Sequence, residues 1–444
     1  MALLPAAKID QLRLLLTSLP GDRAERLCLL ASRSDPTLGR ALDFCRREPE
    51  EAIRARFFAP LDAVCGEPGV DPPSRSYAPA GLVRSLWSWL GETLDPGLPR
   101  AVRDRVIETL GSEPDGSLDA LRRRAADALQ AGVTAAQDDP RALKRLKASL
   151  GVGDFTAVGH VVSLLRSAPV LRAALAGLPH QITDMSESLA ASIRDRYEMA
   201  AEADPDAGVW TLFLIMTRFR YPWRLLRVFE RIARREDDLL VSQTDMAWIG
   251  EALLADAEFH LERFAGPPAT REAAIDAADA LAAFSALTVG MTREIGIRKD
   301  GPWGKRLFAL RTRASEQMGA VHDCARDVLA RAVPEGAVVR GKTRARDGEN
   351  LPERAEALCL FLYLTRDDSG RAAISGGHGA VMEEIAARLE NAGQSLLNTL
   401  RNGAVEGRAA VLARAEQIAS LMRAVGEVEA AGVLLRRTAA ASAA

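Results

Sequence analysis

Apolar residues recur along most of this chain at steps of three and four, the spacing that lines one face of an α-helix. The opening stretch MALLPAAKIDQLRLLLTSLPGD has that spacing and reads as a first helix, since it lacks a basic leader followed by a cleavable apolar core. Pro20-Gly21, Asp35-Pro36 and Glu48-Pro49 cut the first 65 residues into short amphipathic pieces. GEPGVDPPSRSYAP, from Gly66 to Pro79, carries four prolines and no period, so it is a loop. Helical segments resume at AGLVRSLWSWLGETL and are broken again at EADPDAG and at VPEGAVVRGKTRARDGENLP, Val333 to Pro352. No set of alternating strands and no fixed repeat is visible.

The end of the chain gives the clearest pattern. Val381, Ile385, Leu389, Leu396 and Leu400 form one stripe, and Arg401-Asn402-Gly403 breaks it. Val411, Ala415, Ile418, Met422 and Val425 form a second. Two stripes joined by a turn predict an antiparallel helical hairpin, with TAAASAA fraying beyond it. The expected fold is all-α, a multi-helix array of hairpins and bundles with no significant β-sheet. Its expected parts are an N-terminal helical region (1–204), a central helical region (205–333), a polar loop (334–350) and a C-terminal hairpin region (351–444).

Charge changes this picture in one place. Val209 to Arg235 holds seven Arg and one acid, and Glu236 to Glu262 holds eight acids and no Lys or Arg. After Pro222, at the expected first turn of a helix, Arg224, Arg227, Arg231 and Arg234 share an arc of roughly 100°. Leu225, Val228, Phe229, Ile232 and Ala233 lie opposite. The arginine row is therefore expected to point away from the core, with its edge able to reach Glu251 or Glu258 beside it. The acidic helix is expected to start at Ser242, capped with Asp245, and to bury Met246, Leu253, Leu254, Ala257, Leu261 and Phe264. Trp248, Ala252, Ala255 and Phe259 make a second stripe on its other side, which a core layer or a partner would cover.

Composition sets bounds without naming a reaction. The chain has 444 residues, 48% hydrophobic and 27% charged, with a formal net charge of −2. That is globular material without a global polarity that calls for nucleic acid or membrane. Six Lys stand against 52 Arg, so arginine runs reflect a compositional bias as well as any function. VWTLFLIM, Val209 to Met216, is the most apolar run and is far short of the roughly 20 residues a bilayer span needs. Cys28, Cys45, Cys65, Cys324 and Cys359 are scattered and form no CxxC pair, which suits thiols in a reducing cytoplasm.

Motifs for chemistry are few. GAVVRGKT, Gly336 to Thr343, matches the phosphate-binding P-loop string, but a helical pattern precedes it where the mechanism needs a strand. None of His160, His180, His260, His322 and His378 has a Glu three residues before it. Asp256 and His260 are one helical turn apart and could share a metal, yet a site needs three or four ligands. His378 with its flanking glycines precedes a helix and reads as a cap. His322-Asp323-Cys324 cannot form a dyad as chain neighbours, because adjacent helical residues point about 100° apart.

The resulting expectation is a non-enzymatic cytoplasmic scaffold or adaptor. It would bind proteins, a second copy of itself among them, through Arg224, Arg227, Arg231, Arg234, Trp248 and Phe259. No catalytic residue, cofactor, metal or membrane insertion is expected. The alternatives are a helical enzyme whose site is assembled from distant residues, and an anionic-polymer binder using the arginine-rich surfaces.

Overall fold

Helix ends fall where the sequence supplies caps. Asp139 accepts the backbone N–H of Arg141 at 2.8 Å, Pro140 takes the first helical position, and Gly151 ends that helix at φ +70°. Asp204, Ser186 and Thr270 cap three further helices through their side chains. A computed structural model describes residues 6–34, 42, 45, 49–109, 116–233, 246–334, 350–371, 377–401 and 408–443. Among them there are α-helices, short 3₁₀ and π turns and two isolated bridges, but no strand. The protein is all-α, as its periodicity requires.

Two compact units divide between Arg235 and Glu236, where the local charge reverses sign. The first contains α1 (Ala6–Thr17), α2 (Gly21–Ser34), α3 (Pro49–Phe58), α4 (Ala80–Trp89), α5 (Leu98–Glu108), α6 (Asp119–Gln137), α7 (Pro140–Leu150), α8 (Thr156–Leu175), α9 (Glu187–Ala203), α10 (Pro205–Met216) and α11 (Leu226–Ala233). Helix α8 is its centre and packs on α6, α9 and α10. VWTLFLIM is the heart of α10, every residue of which from Ala207 to Met216 is buried. The Trp210 indole N–H still finds the Ser163 hydroxyl at 3.0 Å.

The second unit contains α12 (Ala247–Arg263), α13 (Arg271–Glu294), α14 (Pro302–Ala332), α15 (Leu351–Arg371), α16 (His378–Arg401), α17 (Arg408–Ala424) and α18 (Val428–Ala443). Here α15 is central and touches α13, α14, α16 and α17. Its run LCLFLYL is helical, with Leu358, Cys359, Phe361 and Leu362 sealed, Leu364 exposed, and Phe361 stacked on Phe264 at 5.4 Å.

The C-terminal hairpin is present. Helices α16 and α17 pack on each other, and Val381, Ile385, Leu389, Val411, Ala415, Ile418 and Met422 are all buried. One expectation fails here: TAAASAA does not fray. Helix α18 runs to Ala443 and packs on both hairpin helices. Thr438 is buried and returns its hydroxyl to the Leu434 carbonyl at 2.8 Å. Gly426, at φ +92°, makes the tight turn from α17 to α18, and a side chain there would also strike Tyr363. Alanine-rich sequence has little periodic signal of its own, and tertiary packing supplies what the pattern lacks.

Helices α8 and α13 have the length and hydropathy of a bilayer span, which a reading based on the densest apolar run alone overlooks. Half or more of each such stretch is buried within its own unit, the ordinary state of a core helix.

Candidate functional site

The stretch after α10 forms a surface from unusual local geometry. Thr217 ends α10 by returning its hydroxyl to the Leu214 carbonyl at 2.8 Å. The chain then pairs with Ile182: the Ile182 N–H donates to Arg218 O at 2.8 Å and the Arg220 N–H donates to Ile182 O at 2.9 Å. Phe219 is buried, with half-buried Arg218 before it and exposed Arg220 after it. Pro222 opens a 3₁₀ turn, Pro222–Leu225, before α11 begins at Leu226. Leu225, Leu226, Val228 and Phe229 are sealed in the core.

Aromatic rings and guanidinium groups are left half-exposed above that anchor. Tyr221 and Trp223 lie with ring centroids 5.3 Å apart. The guanidinium groups of Arg220 and Arg224 sit 5.4 and 5.2 Å from the Tyr221 ring centre. Arg220 and Arg227 are exposed. Next to them, Arg218 donates to Leu178 O at 3.1 Å, and Arg196 donates to Ala174 O and Ala176 O at 2.6 and 2.8 Å. Both cover the carbonyl end of α8, where cations are favoured. Burial, then the neighbouring Arg196, pull the Arg218 guanidinium below its ordinary pKa.

The row is not the uniformly outward stripe that the sequence suggested. Arg227 is exposed, but Arg224 is only 28% exposed and donates to Thr183 O at 2.8 Å and to the Asp184 carboxylate. The reason is the 3₁₀ turn. Its three residues per turn shift the azimuth of Arg224 relative to an α-helix that starts two residues later. Arg231 lies in α11, but its side chain is outside the described residues, as is all of Arg234. The expected cap at Ser242 and the Gly336–Thr343 string are outside them too.

Trp248 and Phe259 belong to α12, in the second unit. Trp248 is 37% exposed and Phe259 is half-buried, with the Arg263 guanidinium 5.8 Å from its ring centre. The main apolar face of α12 is buried as expected. Glu251 and Glu258 are engaged within their own unit. They take Arg306 of α14 at 2.7 and 2.8 Å, and Glu251 also accepts the Trp303 indole N–H at 2.8 Å. Asp256 faces inward and is buried. Burial, with a smaller push from Arg263, lowers the His260 pKa to about 4, and its Nδ1 has no hydrogen-bond partner. Among the described residues no three His, Cys, Asp or Glu side chains gather as metal ligands.

Two features were missed in the sequence. His322 of α14 and His378, the first residue of α16, meet in the core at 3.2 Å between Nε2 and Nδ1. His378 Nε2 lies 3.0 Å from the Leu362 carbonyl, which can only accept. His378 therefore carries its proton on Nε2, and His322 Nε2–H donates to His378 Nδ1. Fifty-six positions separate the two residues, so no local spacing could announce them. The second feature is a set of outward leucines: Leu14, Leu15, Leu29 and Leu30 are 54–72% exposed. Their signal was legible, since LRLLL and RLCLL are apolar around more of the helix than one buried stripe needs.

Comparison with known proteins finds no matching family model, no matching curated protein and no matching solved structure.

Proposed function

We propose that this protein is a non-enzymatic helical adaptor that works by binding other proteins. The turn from Arg218 to Arg227 is the observation that carries the reading. Tyr, Trp and Arg are the residue types enriched at the energetic centres of protein interfaces. Here they are gathered half-exposed on a backbone that is anchored in the core and pinned to the 182–184 segment. Preordering of that kind lowers the entropic cost of docking. The outward leucines of α1 and α2 add apolar surface of the sort that partners cover. All five cysteines are free thiols, which suits a reducing cytoplasm.

The helical-enzyme alternative gains little from the His322–His378 pair. Both rings are buried, and their mutual hydrogen bond and the Leu362 carbonyl occupy three of the four ring nitrogens. The adaptor reading is tested by expressing the tagged full-length chain in its native host and identifying what it retains after gentle cross-linking. A small, reproducible set of proteins held near stoichiometry is the expected result. A chain recovered alone, at every salt concentration tried, would overturn it.

A further inference from the structure

We draw no further inference here: the strongest candidate, the cavity of about 270 Å³ in the first unit lined by Asp62, Cys65, Asp71, Arg75 and Thr217, carries nothing, because it is a pair of carboxylates beside one cysteine in which Asp71 already accepts the Glu67 N–H and Arg75 already donates to the Thr217 carbonyl, and nothing among the described residues points to a ligand there.

Discussion

Acidification from pH 7.5 to 5 should weaken the second unit by about 2 kcal/mol through His322 alone. The ring is 4% exposed, and its partner His378 is 3% exposed. Burial, then the charges of His378 and Arg326, bring the His322 pKa to about 4 from 6.5, while Asp323 pulls the other way. Arg326 is held by Asp323 and by Glu384 of α16, and α15 contributes the Leu362 carbonyl. The sign follows from proton counting. Below about pH 6.5 the unfolded chain binds a proton at this position that the folded chain refuses until about pH 4. Stability from this group is therefore complete above pH 6.5, is lost as pH falls from there through 4, and is flat below. Over the full window the loss is at most about 3.4 kcal/mol, because each pH unit between the unfolded and folded pKa values is worth about 1.36 kcal/mol. His378 is also lowered by burial and acts in the same direction.

The discriminating variant is His322→Gln, whose amide N–H₂ can take the place of Nε2–H and donate to His378 Nδ1 without titrating. Urea titrations at the two pH values would be read by backbone hydrogen exchange in α14 and α16, corrected for intrinsic rates. That localises the signal, which is needed because two units need not unfold together. With a urea slope of about 2 kcal/mol per molar, His322 should account for about 1 M of the fall in the parent midpoint. The variant should fall by clearly less, with His260 contributing equally to both. A parent midpoint unchanged between the two pH values refutes the reasoning, and so does a variant that shifts as much as the parent.

Three further outcomes follow from burial and close approach. Arg122 is buried and donates to Phe57 O at 2.9 Å, Arg56 O at 3.1 Å and Asp119 at 3.1 Å. Arg122→Met should cost the first unit about 3 kcal/mol in chemical denaturation, because it orphans two carbonyls and part of the Asp119 carboxylate. Gly250 of α12 lies against the Trp303 ring, which a Cβ would meet at 2.1 Å. Gly250→Ala should therefore lower stability by about 1–3 kcal/mol despite its better helix propensity, and an unchanged melting temperature would show that the ring can move aside. Deleting Val428–Ala443 uncovers the α16–α17 hairpin and should promote aggregation in light scattering, whereas a monodisperse truncation would show that α18 is dispensable.

The fold was legible because helix periodicity, caps and proline breaks all depend on residues close in sequence. Most of the residues named from spacing in α12, α16 and α17 are buried, while Leu400 is half-buried and Ala252, placed on the opposite stripe of α12, is buried too. Helix α18 was missed because its last third is almost all alanine, and its burial comes from residues such as Leu434 and Thr438 as it packs on α17, just before it, and on α16. The same limit governs ion pairs. A charge reversal between neighbouring segments left Glu251 and Glu258 as candidates for the edge of the arginine row, although the helical wheel argued against simple pairing. The structure gives both to Arg306, an arginine in an unremarkable part of the sequence.

The arginine row itself shows how much depends on one turn. An α-helical wheel from Pro222 puts all its arginines on one outward stripe, and that stripe would be a solvated face. The chain instead makes a turn with a single bridge at Phe219, turns as 3₁₀ from Pro222 to Leu225 and becomes α-helical only at Leu226. Each change of residues per turn re-aims the next arginine, so Arg224 fixes the 183–184 segment while Arg220 and Arg227 stay outside. Arg224 serves as an anchor, because its bond to Thr183 and its place over the Tyr221 ring hold the turn in position. A uniformly outward row would have carried more charge toward solvent on looser side chains, at a larger entropic cost for ordering them in any contact.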